Sequence, residues 1–293
     1  MKYFSEAGII SAAVRKQITA IKFWLALAAT MLFQLPDSAF AQSVHFKLVP
    51  RPAVEARLKK YEGDNPKREA TLKAIFTDAG CDAQNLSEQQ VKGSRLPNVV
   101  CILPGASGKI IIVGAHFDRT SAGDGVVDNW SGVSLLPSLY EAVKAQPRKH
   151  TYIFIGFTDE ERGLVGSHFY AHQMTKEQIA ATDAMVNMDT LGLAPTEVWA
   201  SHSDKNLVSR LVYVGRLLNF PITGTNVERV GSTDSEEFSQ RKIPSITIHS
   251  LTQKAFDDHI LHSAKDQFSA MRLDDYYQTY HLMAAYIAYL DQL

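Results

Sequence analysis

Apolar runs with the length of β-strands alternate with amphipathic patterns along most of the chain. The runs lie at 98–103, 109–115, 151–157, 184–188 and 245–249. Helices are predicted between and after them, at 131–146, 164–173, 203–219, 235–241 and 274–291. Apolar strands that alternate with helices indicate βαβ units. We therefore predict an α/β fold with a mostly parallel sheet that helices cover on both faces.

Two further amphipathic helices are predicted before the first strand, at 50–62 and 66–79, with a Gly-Asp-Asn-Pro turn between them. Neither an internal repeat nor a low-complexity linker follows residue 42. We therefore expect residues 42–293 to form a single domain.

The first 41 residues have the pattern of a secretory signal peptide. Basic residues precede an apolar run at 23–33, and Ala39, Phe40 and Ala41 then supply small residues at the spacing of a cleavage site. The run is too short to span a bilayer comfortably, which favours cleavage over an uncleaved anchor. We expect an exported protein, periplasmic or secreted, that is free of the membrane after cleavage.

The two cysteines, Cys81 and Cys101, are too few for a disulfide scaffold or a cysteine-rich zinc module. One follows a predicted helix and the other lies within the strand at 98–103. Export would place them in an oxidising compartment, which favours a disulfide over the alternative of two buried free thiols.

The composition and the charge are those of an ordinary globular protein. Hydrophobic residues make up 45% of the chain and charged residues 21%, which excludes wholesale disorder. The 30 Lys and Arg residues against 31 Asp and Glu give a net charge of -1. This balance lacks the basic surplus that nucleic-acid binding requires, so we expect no nucleic-acid partner.

Acidic and imidazole side chains directly follow three of the predicted strands. They are His116 and Asp118 after the second strand, Glu160 and Glu161 after the third, and Asp189 after the fourth. Asp128 opens a predicted helix, and His262 lies in the loop after the last strand. Ligands of α/β sheets bind at the carboxyl ends of strands. Because unpaired buried carboxylates are costly, this set predicts bound cations.

A mixture of imidazoles and carboxylates is typical of zinc sites that keep a position open for water. Two histidines with three or four carboxylates exceed what one catalytic zinc ion needs, so two ions that share a carboxylate fit better. The sequence has no Gly-x-Ser-x-Gly motif and no P-loop, which disfavours a serine nucleophile and phosphate chemistry.

A second histidine pair lies on the predicted helix at 164–173. His168 and His172 have the i, i+4 spacing of a zinc-binding helix. Phe169 stands where a His-Glu-x-x-His motif needs Glu. We therefore interpret the pair as a partly exposed helix face.

Five ordered motifs resemble those of the co-catalytic zinc aminopeptidases of the bacterial leucyl aminopeptidase and aminopeptidase Y type, which are related to glutaminyl cyclases. The motifs are His116-x-Asp118, Asp128-Asn129-x-Ser131-Gly132, Glu160-Glu161 with Gly163-Leu164 and Gly166-Ser167 after it, Asn187-Met188-Asp189, and His262-Ser263-x-x-Asp266. Asp234 with Phe238 matches a weaker element. The resemblance covers roughly 66–293. It implies a zinc-exopeptidase-like, three-layer α/β/α sandwich with a central mixed, mostly parallel sheet.

The resemblance also implies a role for each metal ligand. Asp128 is expected to bridge two zinc ions. Glu161 and His262 would complete one metal site, and His116 and Asp189 would complete the other. We therefore expect two Zn²⁺ ions per chain.

Three matched residues are expected to act without binding metal. Glu160 would take a proton from the attacking water and pass it to the leaving amine. Asp118 would hydrogen-bond His116 and fix its tautomer. Asp266 would support the loop that holds His262.

Alternatives remain open at several of these positions. His259 competes with His262 as a ligand, although only His262 is followed by Ser-x-x-Asp. Asp118 is alternatively a turn residue, and Glu160 is alternatively a solvated charge. Trp130 either lines the pocket or packs in the core.

The resemblance implies a zinc exopeptidase that releases N-terminal amino acids from peptides with a free N-terminus. A glutaminyl cyclase, which converts N-terminal Gln to pyroglutamate, is the alternative on the same scaffold. The Gly-Leu-x-Gly-Ser run after Glu161 favours the peptidase. A non-catalytic binding module is a third interpretation, which the complete set of ligands disfavours.

Overall fold

An eight-stranded sheet runs through the middle of the described chain. The computed structural model describes residues 44–227 and 231–293, and the predicted signal peptide at 1–41 lies outside the described residues. The strands, β1 to β8 in chain order, are Leu86–Gln89, Asn98–Leu103, Ile110–His116, Thr151–Phe157, Thr182–Met188, Glu197–Trp199, Thr223–Thr225 and Ser245–His249. Their order across the sheet is β1-β2-β4-β3-β5-β8-β6-β7.

Four parallel strands, β4, β3, β5 and β8, form the centre of the sheet. On one side β2 joins β4 antiparallel, and on the other side β6 joins β8 antiparallel. The outermost strands are β1, antiparallel to β2, and β7, parallel to β6. This arrangement confirms the predicted mixed, mostly parallel sheet. It also brings the carboxyl ends of the four central strands to one edge.

All five strands predicted from apolar runs are present, whereas β1, β6 and β7 were not predicted. Ser87 and Glu88 of β1 are exposed, and β7 at Thr223–Thr225 is also largely exposed. Edge strands that face water do not need a continuous apolar run. Their sequences therefore carry little strand signal.

Ten α-helices lie within the described ranges. In chain order, α1 to α10 are Arg51–Leu58, Asn65–Asp78, Ser131–Val133, Leu136–Lys144, Val165–Gln173, Lys176–Ala181, Lys205–Leu217, Ser235–Gln240, Gln253–Asp257 and Leu273–Leu290. Turns of other helical types lie at Val126–Trp130, Glu160–Arg162, Ala200–His202 and Phe268–Ala270. None of the described helices has the length and hydrophobicity that crossing a membrane requires.

The predicted helix at 131–146 is interrupted. Two turn residues, Ser134 and Leu135, separate α3 from α4, and an irregular turn at Val126–Trp130 precedes α3. Asp128 and Asn129 have non-helical backbone angles within the turn, and the peptide bond between them is cis. Pro137 lies in the first turn of α4, where a helix tolerates the missing N–H.

Helices pack on both faces of the sheet. Successive side chains of β3 point to opposite faces: Ile111 and Val113 belong to a larger apolar cluster and Ile112 belongs to a smaller one. The larger cluster joins the sheet to α1, α2, α4, α7 and α10. The smaller cluster joins it to α5 and α8. The predicted three-layer α/β/α sandwich is confirmed.

Arg68 of α2 is completely buried against the segment that joins β3 to Asp128. Its guanidinium donates hydrogen bonds to the carbonyl oxygens of Phe117 at 2.5 Å, Asp124 at 3.2 Å and Gly125 at 2.9 Å. Burial lowers the pKa of Arg68 to about 10, so the group stays protonated at neutral pH. Because a buried cation needs each of these carbonyl groups, Arg68 fixes the position of the whole segment.

Trp130 packs in the core and not in a pocket. Its side chain is fully buried, and its Nε1 donates a hydrogen bond to the carbonyl oxygen of Arg57 at 3.1 Å. The guanidinium carbon of Arg68 lies 5.1 Å from the indole centroid, which is cation–π geometry. The first of the two sequence interpretations of Trp130, a place in the pocket wall, is therefore wrong.

Cys81 and Cys101 form a disulfide, with their Cα atoms 6.4 Å apart. Cys81 follows α2 and Cys101 pairs with Phe154 of β4 near the middle of the sheet. The bridge therefore ties the end of α2 to β2, away from the strand ends.

Reduction of the disulfide is expected to destabilise the fold. The bridged residues are 20 positions apart. Closing such a loop removes unfolded-state entropy worth about 3 kcal/mol, so the free energy of unfolding should fall by about that amount on reduction. Urea unfolding and the melting temperature, measured with and without reductant, test this. The double variant Cys81→Ala/Cys101→Ala is the control and should not respond to reductant. An unchanged melting temperature in fully reduced native protein would contradict the prediction.

Candidate active site

Polar side chains gather where the four central parallel strands end. His116 is the last residue of β3, and the Glu160–Arg162 turn follows β4. Asp189 follows β5 directly, and His249 is the last residue of β8. Each central strand therefore delivers at least one titratable side chain to the same edge of the sheet.

One group of possible metal ligands contains His116, Asp128 and Asp189. The Nε2 atom of His116 lies 3.3 Å from Asp128 Oδ1 and 3.7 Å from Asp189 Oδ1. One donor atom from each of the three side chains lies within 4.8 Å of the other two. His116 is completely buried, so this group lies at the bottom of the site.

A second group contains Asp128, Glu161 and His262. The Nε2 atom of His262 lies 3.1 Å from Asp128 Oδ2 and 2.9 Å from Glu161 Oε2. Asp128 thus offers Oδ1 to the first group and Oδ2 to the second. The structure brings together all five residues that the sequence proposed as ligands. His259, the competitor of His262, belongs to neither group.

The electrostatics of these groups favour bound cations. Burial would lower the pKa of His116, but the carboxylates around it, with Glu160 first among them, raise it well above its ordinary value. The carboxylates of Asp128 and Glu161 raise the pKa of His262 to about 10. The negative charge around both imidazoles thus favours a positive charge at this place.

The pKa of Asp128 also reflects the interaction between the carboxylates and the imidazoles of the site. Burial would raise its pKa, but the imidazoles of His116 and His262 outweigh burial and hold it well below the usual range. The Oε1 atom of Glu161 is buried without a hydrogen-bond partner among the described residues. An ionised bridging carboxylate, two imidazoles and a buried unpaired oxygen form a donor set that fits divalent metal ions.

Glu160 lies beside the two groups without belonging to either. Its Oε2 atom is 3.9 Å from His116 Nε2, and its side chain is 12% exposed. Burial, together with the charges of Asp234, Asp189 and Asp128, raises the pKa of Glu160 well above its usual value. The structure therefore separates the two adjacent glutamates: Glu161 faces the metal-ligand group, and Glu160 is a carboxyl group suited to hold a proton.

Asp118 is buried and organises the acidic turn after β4. Its Oδ1 and Oδ2 accept hydrogen bonds from the backbone N–H groups of Glu160 at 3.0 Å and Glu161 at 3.2 Å. The Nδ1 atom of His116 lies 3.3 Å from the Asp118 carbonyl oxygen and 3.5 Å from its carboxylate. The sequence predicted only the contact with His116. The shorter hydrogen bonds of the Asp118 carboxylate are those to the backbone of Glu160 and Glu161, and they hold this pair of glutamates in place.

Asp266 joins the His262 loop to the Asp128 segment. Its two carboxylate oxygens accept the N–H groups of Val127 at 2.8 Å and Asp128 at 3.1 Å. Burial raises the pKa of Asp266 to about 6. The sequence suggested support for His262 alone, whereas the carboxylate also anchors the backbone of the shared ligand.

Five non-glycine residues at this edge have a left-handed backbone. Their φ angles are 53° at Asp159, 60° at Leu164, 59° at Thr190, 50° at His259 and 53° at His262. Such conformations cost on the order of 1–3 kcal/mol each in residues with a Cβ atom. Their concentration in the loops that carry the polar groups is typical of a functional site.

Two polar residues that adjoin Asp189 were not predicted from the sequence. Thr233 donates a hydrogen bond from Oγ1 to Asp189 Oδ2 at 2.7 Å. His249 ends β8 as His116 ends β3, and this position was the signal that could have found it. Burial lowers the pKa of His249 to about 4, so the ring is neutral, and its Nδ1 accepts the N–H of Leu251 at 3.1 Å.

A pocket with about 530 Å³ of empty volume opens at this edge of the sheet. Its polar lining includes His116, Asp128, Glu160, Asp189 and His262. Its apolar lining consists of Trp199, Val227, Leu251 and Leu261. The apolar residues come from three separate segments, so no single sequence motif marks them. The lining of the pocket thus combines acidic and apolar side chains.

The sequence model of Peptidase family M28 matches residues 98–287. Aminopeptidase YwaD of Bacillus subtilis (strain 168) is 29% identical over 138 residues, which are 46% of this chain and 28% of that protein. The match therefore spans little more than a quarter of the length of this relative.

Two solved structures share the fold. BSAP, a zinc aminopeptidase from Bacillus subtilis, gives a TM-score of 0.61 at 20% identity over 67% of this chain and 50% of that chain. An Acidobacteriales bacterium glutaminyl cyclase gives a TM-score of 0.70 at 16% identity over 86% of this chain and 98% of that chain. The TM-scores establish a likeness of the fold, and at identities this low the likeness extends to the fold alone.

The family match extends from β2 into α10 and so takes in every central strand and each of the residues that meet at their ends. It covers well over half of the sequence. We conclude that the chain belongs to Peptidase family M28.

Proposed function

We propose that this protein is a zinc-dependent aminopeptidase that hydrolyses N-terminal peptide bonds. The observation that carries the proposal is the position of Asp128 between two groups of ligands. Its Oδ1 is 3.3 Å from His116 Nε2, and its Oδ2 is 3.1 Å from His262 Nε2. A carboxylate shared in this way is typical of hydrolases with two metal ions about 3.5–4 Å apart. Membership of a peptidase family supports the same activity.

Two zinc ions per chain are proposed. His116 and Asp189 would hold one ion, Glu161 and His262 would hold the other, and Asp128 would bind both. Zinc supplies Lewis acidity there, which makes water a nucleophile at neutral pH and polarises a peptide carbonyl.

Glu160 is proposed as the general base. A base works best when its pKa lies near the working pH, and the burial of Glu160 among carboxylates moves its pKa in that direction. Glu160 accepts a proton from the attacking water and then donates it to the nitrogen of the leaving amine. Asp118 positions Glu160 for this task by accepting its backbone N–H at 3.0 Å.

The lining of the pocket supports a substrate with an apolar N-terminal residue. Trp199, Leu251 and Leu261 offer an apolar surface to the first side chain. Peptides with apolar N-terminal residues are therefore the proposed substrates.

The cellular context is also part of the proposal. We propose that residues 42–293 form the catalytic domain and that residues 1–41 direct export to the periplasm or outside the cell. The disulfide between Cys81 and Cys101 is compatible with an oxidising compartment.

A panel of aminoacyl-anilides and short peptides tests the proposed activity. We expect release of the N-terminal residue, fastest for apolar residues, because the pocket has an apolar wall. Exhaustive chelation should abolish the release, and added zinc should restore it. N-acetylated versions of the same peptides are the matched control and should remain intact. Full activity after chelation would contradict the metal mechanism. Conversion of Gln-peptides to pyroglutamyl peptides without release of residues would assign the cyclase alternative.

The two adjacent glutamates are expected to differ on substitution. Glu160→Gln keeps the shape but removes the proton acceptor, so kcat should fall by about 10²–10⁴-fold. Its zinc content should remain that of the native protein. Glu161→Gln should instead lower the zinc content, because the substitution removes a ligand.

Zinc analysis alongside kinetics distinguishes these outcomes. Glu177→Gln is the control, because Glu177 is exposed on α6 away from the pocket lining. It should match the native protein in both measurements. Metal loss in Glu160→Gln with full metal retention in Glu161→Gln would mean that the two roles are reversed.

A further inference from the structure

A third cluster of possible metal ligands lies outside the pocket, between α5 and α8. His168 and His172 are one turn apart on α5, and their ring centroids are 3.9 Å apart. Glu237 of α8 approaches them, and its Oε2 lies 2.8 Å from His168 Nδ1. One donor atom from each of the three side chains lies within 4.8 Å of the other two. The proposed peptidase mechanism uses none of these residues.

Hydrogen bonds set the tautomers of both rings. The Nδ1 atom of His172 lies 2.9 Å from the carbonyl oxygen of His168, which can only accept, so Nδ1 of His172 donates. In the neutral ring, Nε2 of His172 then carries a free lone pair. Without an ion, Nδ1 of His168 donates to the carboxylate of Glu237 at 2.8 Å, and an ion bound by both side chains would replace this hydrogen bond. A histidine whose other nitrogen donates to a carbonyl or a carboxylate is the usual arrangement of a metal ligand.

The donor atoms are close enough to share one ion. Two atoms bound to one zinc ion at about 2.0–2.2 Å can be no more than about 4.3 Å apart. The donor atoms of this cluster all lie within 4.8 Å of one another, and His168 Nδ1 and Glu237 Oε2 are 2.8 Å apart, so side-chain movements can bring all three to one ion. The His168 side chain is 56% exposed and has room to make them, whereas Glu237 is 11% exposed and held in place.

We propose that His168, His172 and Glu237 bind a divalent transition-metal ion such as zinc, in addition to any ions in the pocket. Two imidazoles and one carboxylate favour zinc, nickel or copper over magnesium and calcium, which prefer oxygen ligands. Because both rings are exposed, the ion enters from solvent and water completes its coordination.

The position of this site gives the ion a structural role. It joins α5, which follows the turn carrying the two glutamates, to α8, which follows Asp234. Phe169 takes the place of the glutamate that a catalytic His-Glu-x-x-His helix would supply, so no base is provided next to the ion. An ion that binds only the folded state stabilises it by mass action. The ion thus clamps two helices that flank the pocket.

Equilibrium dialysis against zinc tests this site in the full-length protein. The native protein should bind one more ion per chain than His172→Ala, whatever number the pocket holds. Excess zinc should also raise the melting temperature of the native protein more than that of His172→Ala, because only the pocket ions remain in the variant. His202→Ala is the matched control, because His202 pairs with Glu236 of α8 at 3.1 Å but belongs to none of the three ligand groups found among the described residues.

A second variant tests the carboxylate. Glu237→Gln keeps the shape of the side chain but removes a charged ligand, so it should weaken zinc binding at this site by at least about tenfold, the smallest loss expected even for a partner that only supports a ligand. His202→Ala should bind zinc as the native protein does. Equal zinc stoichiometry in native protein and His172→Ala would overturn the proposal. Loss of the same ion in His202→Ala would overturn it as well.

Discussion

The concentration of negative charge at one buried edge of the sheet is the constraint on which the rest of the structure depends. Six carboxylates converge there: Asp118, Asp128, Glu160, Glu161, Asp189 and Asp234. Burial raises the pKa of Asp234 to about 7, which shows how strongly this environment resists a further negative charge. Such a set is stable only if cations or hydrogen-bond donors compensate it. The proposed pair of zinc ions meets that requirement and supplies the chemistry at the same place.

The scaffold compensates part of this charge with fixed donors and thereby positions the reacting groups. Backbone N–H groups bind Asp118 and Asp266, and these bonds lock the glutamate turn and the Asp128 segment in place. Arg68 adds a buried positive charge and holds the segment before Asp128 through three carbonyl groups. Groups held in this way need little rearrangement during a reaction, which is the basis of electrostatic preorganisation.

The central strands and the polar residues directly after them, such as His116, Glu161 and Asp189, could be predicted because each signal is local. Asp128 and His262 do not end an apolar run, and the resemblance of their motifs to those of zinc aminopeptidases was needed to propose them as ligands. The irregular turn at Val126–Trp130 could not be predicted, because the backbone of Asp128 is set by bonds to Asp266, which is distant in sequence. The apolar pocket wall and the approach of Glu237 to His168 are also long-range contacts. A periodic pattern contains no information about such pairs.

Anomalous diffraction at the zinc absorption edge, from crystals of the zinc-loaded protein, tests the shared role of Asp128 most directly. Two peaks are expected at the carboxyl ends of the central strands, about 3.5–4 Å apart, one on each side of the Asp128 carboxylate. His116 and Asp189 should contact one peak, and Glu161 and His262 should contact the other. A single peak at this edge, or two peaks that do not share Asp128, would contradict the proposed two-metal site.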